Sequence, residues 1–253
     1  MNIAQYIFIG VAGLLAGGVN ALAGGGTLIS FPALMAMGLP AVSANITNTV
    51  ALCPGYFGAA LTQMKEIASQ KRRVLLYVPA AILGGLAGGY LLAHTSDSNL
   101  RLLIPYLILL ATVLLAAGEP IRNWLNKINA KGEIWRGWEI ITLPAVALAA
   151  VYGGYFGAGL SVIYLAVLGL FLSDSLPRLN ALKQMLALAT NLAAAVFFMF
   201  SGKVNWGDAL VMAVGALIGG AIAGRFAGKI NPVILRWIVV AIGLLVSIYY
   251  FVK

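Results

Sequence analysis

Two long apolar stretches of this chain are broken by glycine clusters at matching places in its two halves. Gly24-Gly25-Gly26 returns as Gly157-Ala158-Gly159 at an offset of 133 residues. Gly84-Gly85-Leu86-Ala87-Gly88-Gly89 returns as Gly219-Gly220-Ala221-Ile222-Ala223-Gly224 at an offset of 135, and Arg101 returns as Arg236 at that same offset. Broken hydrophobic segments at corresponding positions of two halves are the sequence pointer to a membrane transporter, with its binding site at the breaks.

Composition fixes the solvent. Apolar residues make up 62% of the 253 residues and charged residues 9%, against about a quarter charged in a soluble domain. That much apolar surface cannot be hidden from water in a chain of this length, so its partner is the lipid bilayer. At about 20 residues per helical crossing, apolar runs fall at 3–22, 45–63, 74–93 and 100–117 in the first half. In the second half they fall at 138–156, 180–200, 208–226 and 232–252, with short runs at 27–37 and 160–172 after the breaks. The expected fold is an all-α membrane protein of two homologous halves, each a glycine-broken helical hairpin plus three transmembrane helices. Residues 1–117 form the first repeat, 118–137 a hydrophilic cytoplasmic linker, and 138–253 the second repeat. The stretch 3–22 imitates a signal peptide, but no Lys or Arg precedes Lys65. A secretory n-region is basic, so 3–22 is expected to belong to the fold.

The sixteen Lys and Arg distinguish two topologies. If each broken element is a hairpin returning to the side it entered from, each half crosses an odd number of times and the halves are inverted. Basic residues then divide 13 to 3, with only Arg101, Lys203 and Lys253 outside; parallel halves give 10 to 6. Because cytoplasmic loops carry an excess of Lys and Arg, inverted repeats with both termini outside are expected. The net charge of +9 sits at span ends and forms no stripe, which excludes a nucleic-acid partner. One cysteine, Cys53, and one histidine, His94, exclude a disulfide framework or a metal cluster. No cofactor is expected, and nothing in the sequence sets the oligomeric state.

The spacings Gly13-x-x-x-Gly17, Gly84-x-x-x-Gly88, Gly85-x-x-x-Gly89, Gly215-x-x-x-Gly219 and Gly220-x-x-x-Gly224 suit close helix packing. The clusters at 24–26 and 157–159 differ, because each glycine destabilises a helix by about 1 kcal/mol relative to alanine. A broken helix at membrane depth must be covered by protein or line a cavity. A helix restarting after such a break presents free N–H groups and the positive end of its dipole, which together attract an anion. The candidate binding residues are therefore Gly24, Gly25, Gly26 and Thr27 in the first half, and Gly157, Ala158, Gly159 and Ser161 in the second, with Ser30 as a further hydroxyl. A polar patch follows each break: Asn45-Ile46-Thr47-Asn48-Thr49 and Asn180-Ala181-Leu182-Lys183-Gln184. Residues three or four apart share a helix face, which adds Asn45, Asn48, Lys183 and Gln184. Lys183 reads equally as an anion ligand or as a snorkelling interfacial lysine. Asn191, deeper in the same run, needs a hydrogen-bond partner in either case. Arg101, Arg236 and His94 read as interfacial residues.

The acids Glu66, Asp97, Glu119, Glu133, Glu139, Asp174 and Asp208 all fall in loops or at span ends. No carboxylate sits mid-run, where pumps keep proton relays, so the interior favours anions over cations.

The run from Gly17-Gly18 through Gly24-Gly25-Gly26-Thr27, then Phe31-Pro32-Ala33-Leu34, Gly38 and Ala44-Asn45, resembles the TauE/SafE family of sulfite exporters. So do Gly157-Ala158-Gly159, Asn180-Ala181-Leu182-Lys183 and Gly202-Lys203-Val204-Asn205-Trp206 in the second half. The resemblance covers nearly the whole chain. It implies a permease for small sulfur-containing anions, such as sulfite, thiosulfate or organosulfonates, in a prokaryotic inner membrane. A passive anion channel of the same architecture is the alternative. A membrane enzyme is disfavoured, because no Ser/His/Asp set, metal cluster or carboxylate pair lies at membrane depth.

Overall fold

A computed structural model describes residues 3–22, 25–61, 63–131, 140–172, 174–225 and 232–252. All regular structure among them is α-helical: α1 (Ile3–Leu22), α2 (Thr27–Ala36), α3 (Ala41–Leu61), α4 (Met64–Ala68), α5 (Lys71–His94), α6 (Asp97–Lys131), α7 (Thr142–Tyr155), α8 (Leu160–Phe171), α9 (Leu176–Met199), α10 (Trp206–Arg225) and α11 (Pro232–Val252). Six of these (α1, α5, α6, α9, α10 and α11) are long and apolar enough to cross a membrane.

The segment from Gly118 is helical as far as it is described. Helix α6 runs on unbroken to Lys131, because Glu119, Arg122, Leu125 and Lys127 are good helix formers and leaving an apolar run does not itself end a helix. The remainder of that segment lies outside the described residues. The five-residue α4 occupies the short basic connection between α3 and α5, where no helix is expected from sequence.

Each glycine cluster folds its short helix back along the preceding one. At Gly25 the backbone takes φ +89°, which glycine adopts without steric penalty. Gly26 answers a different need: a methyl group there would sit 2.3 Å from the carbonyl oxygen of Ala16, so α2 starts in contact with α1. In the second cluster Gly157 and Gly159 have φ +77° and +75°. Ala158 stands between them at a position with no left-handed requirement, which explains why that cluster need not be all glycine.

The two halves of the chain pack by exchange. Helix α1 of the first lies against α10 of the second, and α7 of the second lies against α5 of the first; α3 meets α9, and α6 meets α11. In the first two pairs the backbones touch. A methyl at Gly17 would fall 2.0 Å from the Ala216 carbonyl oxygen, and one at Gly88 would fall 2.1 Å from that of Val151. The glycine spacings are thus interface positions.

Helix directions follow from contacts along each pair. Between α6 and α11, Arg236 meets Glu119 at 3.4 Å, a methyl at Gly243 would press on Thr112, and Ser247 Oγ donates to the Pro105 carbonyl at 2.9 Å. The sequence numbers rise on one helix as they fall on the other, so the pair is antiparallel. The pair α3 and α9 is antiparallel too: Asn180 bonds Gln63, just past α3, and Ala60 shares a small core with Ala181 and Leu188, whereas Asn205, beyond the other end of α9, donates to Thr47 near the start of α3.

The helix ends collect into two faces. One holds Arg73 paired with Asp174, Arg178 with the same carboxylate at 3.2 Å, and Arg236 with Glu119. The other holds Asp97, whose two oxygens accept the N–H groups of Ala41 and Val42 at 3.0 Å each, so that one carboxylate caps α3. It also holds Lys203, donating to the Ala93 carbonyl at 2.6 Å. Arg101 reaches Asp97 at 3.8 Å from a largely exposed position. Asp208, expected at a span end, lies there but fully enclosed, and neither of its oxygens has a hydrogen-bond partner among the described residues.

Candidate functional site

The exchanged packing brings both glycine tips to one stretch of α6. A methyl at Gly25 would lie 2.9 Å from the Leu115 side chain, and one at Gly159 would lie 3.4 Å from Leu114. Between the tips is a cavity of about 620 Å³. It leads from Gly25, Thr27 and Gly157 through Ser161 past the first turns of α9, and reaches Gln63 and Asn180 at the end of the bundle rich in arginine.

Of the residues singled out from sequence, Gly25, Thr27, Gly157, Ala158, Gly159, Ser161, Lys183 and Gln184 line this cavity. Gly26 lies just behind it, packed on Ala16. Gly24 lies outside the described residues. No carboxylate is among the described lining residues, and Lys183 is their single cation.

Asn45 and Asn48 do not line it. Asn45 Nδ2 donates at 2.8 Å to the carbonyl of Tyr155, the last residue of α7. That carbonyl belongs to a helix end, where four backbone acceptors lack intrahelical donors. Asn48 accepts the hydroxyl of Ser30, which also reaches the Gly26 carbonyl at 3.1 Å. In place of ligand contacts, these side chains tie α2, α3 and α7 together on the face opposite the cavity. Thr47 accepts the N–H of Asn205 at 3.0 Å, joining α3 to the start of α10.

The tips are held differently. In the first, the Gly26 N–H donates to Asn20 Oδ1 at 2.8 Å. In the second, the Tyr152 hydroxyl donates to the Ala158 carbonyl at 2.7 Å, and the Gly157 N–H bonds the Tyr152 carbonyl at 3.2 Å. Among the described residues the N–H groups of Ala158 and Gly159 have no hydrogen-bond acceptor. Both residues line the cavity, so the positive end of α8 opens into it. Asn191, beside Gly157, donates to the Ala187 carbonyl at 2.8 Å.

Sequence reasoning missed Asn20, Tyr56, Gln63 and Asn180 as lining residues. Asn20 gave a usable signal: a carboxamide in an apolar run, shortly before a glycine break, needs a local partner. Tyr56 gave none, since an aromatic residue at that spacing reads as ordinary packing.

Comparison with known proteins places these features in a family. The chain is 24% identical to a probable membrane transporter protein YfcA of Escherichia coli (strain K12), covering 92% of this chain and 85% of the relative. It is also 24% identical to a probable membrane transporter protein of Haemophilus influenzae, covering 93% and 90%, and to the probable membrane transporter protein ORF9 of a Sinorhizobium species, covering 95% and 90%. No solved structure matches. The family profile described as sulfite exporter TauE/SafE matches residues 9–250, and this multi-pass membrane protein belongs to the TauE/SafE family of membrane transporters.

Proposed function

We propose that the protein is a permease for small sulfur-containing anions, such as sulfite, thiosulfate or organosulfonates, in a prokaryotic inner membrane. It works by alternating access of two inverted repeats around the cavity between the glycine tips. The observation that carries this reading is the cavity itself: both breaks meet there with the free N–H groups of Ala158 and Gly159, hydroxyls and Lys183, and no carboxylate is among the described lining residues. Such a site favours an oxyanion, whose oxygens accept hydrogen bonds and whose charge suits a helix N-terminus.

The antiparallel course of α6 against α11, and of α3 against α9, supports inverted repeats, because each pair consists of equivalent helices. The unequal state of the two polar patches supports alternating access. Asn180, Lys183 and Gln184 line an approach from the arginine-rich face, which the positive-inside rule assigns to the cytoplasm. Their counterparts at an offset of 135, Asn45, Asn48 and Thr49, are buried at 0%, 2% and 8% exposure. The form described is then the inward-facing one. Export of each net negative charge would release about 2.3 kcal/mol per 100 mV of membrane potential.

The test is binding of sulfite, thiosulfate, sulfoacetate, taurine, sulfate and chloride to purified protein, by thermal shift and calorimetry, followed by counterflow in proteoliposomes. Selective binding of a sulfur anion and saturable counterflow are expected. Binding to none of them would remove the substrate assignment; channel-sized single-molecule currents would replace the carrier by a channel.

A further inference from the structure

Building on the permease reading, we propose that Asn20 is a further binding residue: its side-chain carbonyl sets the first glycine tip, and its amide NH2 is a donor to the transported anion. Asn20 stands near the end of α1, in an otherwise apolar run from Ala16 to Leu22. A carboxamide there is unfavourable unless both of its ends are used.

One end is used within the protein. Oδ1 accepts the Gly26 N–H at 2.8 Å, a bond that fixes which way the amide faces, since a flipped side chain would set N–H against N–H. The other end is then directed away from Gly26. Among the described residues Nδ2 has no hydrogen-bond partner, and Asn20 lines the cavity with Thr27, Ser161 and Lys183. Thr27 is an independent sign that this corner awaits a ligand. Its residue is only 5% exposed, yet its hydroxyl has no partner among the described residues and it borders the same cavity.

The consequence is an asymmetric site. The first tip does not offer the Gly26 N–H to an anion, because Asn20 holds it; the carboxamide substitutes its own N–H groups. The second repeat has no asparagine at this place, and there Tyr152 occupies the Ala158 carbonyl instead, leaving tip N–H groups free. An anion is gripped by side-chain donors from one repeat and backbone donors from the other.

Calorimetry of methanesulfonate and sulfite binding to the full-length protein tests this, with wild type, Asn20→Asp, Asn20→Ala and Thr27→Val. Methanesulfonate keeps one negative charge across the working pH range, so its own titration does not enter. Asn20→Asp preserves the acceptor for Gly26 while removing the donor and adding charge. It should abolish detectable methanesulfonate binding at neutral pH and recover part of it as the new carboxyl is protonated. Asn20→Ala and Thr27→Val should each weaken binding about tenfold to a hundredfold, the range for a hydrogen bond to a charged group. A purely structural Asn20 would lower the melting temperature of Asn20→Ala but leave affinity, and its pH dependence in Asn20→Asp, as in wild type; that result overturns the assignment. If wild type binds neither anion, the sulfur-anion reading falls and the assignment falls with it. Wild-type binding with unaltered variants overturns the assignment alone.

Discussion

Asn45, one turn into α3, donates through Nδ2 to the Tyr155 carbonyl at the end of α7, 2.8 Å away. The bond closes the face of the bundle opposite the cavity by joining the two halves of the chain. Asn45 Oδ1 is buried there without a hydrogen-bond partner among the described residues, so the contact satisfies the helix end and leaves the carboxamide half-used. Replacing Asn45 by alanine strands the Tyr155 carbonyl in an apolar setting. The expected cost is about 1–3 kcal/mol, read as a lower midpoint for unfolding in detergent. An unchanged midpoint would show that the helix end finds another donor.

The opposite states of the two polar patches predict a labelling asymmetry. Cys53 is the sole cysteine, so Cys53→Ser provides a background for single reporters. Gln184→Cys, beside the cavity, should react with a hydrophilic maleimide applied from the cytoplasmic side. Thr49→Cys, at the corresponding place in the first repeat and 8% exposed, should resist it from either side at rest. During turnover, outward opening should make Thr49→Cys reactive from the other side. Equal reactivity of both at rest would contradict a single dominant inward-facing form.

Lys183 is the single cation among the described cavity residues. Lys183→Gln retains a long polar side chain but removes the charge. Anion affinity should fall about tenfold to a hundredfold, in line with the loss of a charge-assisted hydrogen bond, while the melting temperature of the unliganded protein changes little. Calorimetry distinguishes this from an interfacial lysine, for which affinity would be unchanged.

Gly25 combines φ +89° with a near neighbour, Leu115, 2.9 Å from where a methyl would stand. Gly25→Val should abolish transport in proteoliposomes, since a β-branched residue at positive φ is strained and the added bulk fills the space between tip and α6. Gly38 has the same φ but nothing within 4 Å of an added methyl. Gly38→Ala should therefore cost stability without removing transport. Transport retained in Gly25→Val would reduce the first tip to a bend.

Much of the architecture is legible along the chain because it depends on local chemistry. Gly24-Gly25-Gly26 and Gly157-Ala158-Gly159 mark the breaks since clustered glycines lower helix propensity, though Gly84-Gly85 and Gly219-Gly220 stay helical where a neighbouring helix packs on them. The spacings at Gly13, Gly17, Gly84 and Gly88 mark close helix contacts, though not which helix each meets. The end of α6 was hidden for the converse reason: the hydrophilic residues after Gly118 leave the apolar run but keep helix propensity, so hydropathy and helicity part company there.

The polar patches show where local reading stops. Asn45-Ile46-Thr47-Asn48-Thr49 and Asn180-Ala181-Leu182-Lys183-Gln184 occupy matching places and carry similar side chains, yet the first is tied to Ser30 and Tyr155 while the second borders the cavity. Asn20 meets Gly26 only because α2 folds back along α1. The sequence by itself determined the solvent and the points where helices break, since those follow from composition and backbone freedom. Only the tertiary structure decided which donors meet in the cavity and which are closed away. Two halves packed by exchange can place corresponding residues in unequal surroundings, and a hydrogen-bonding side chain takes its role from the partner within reach.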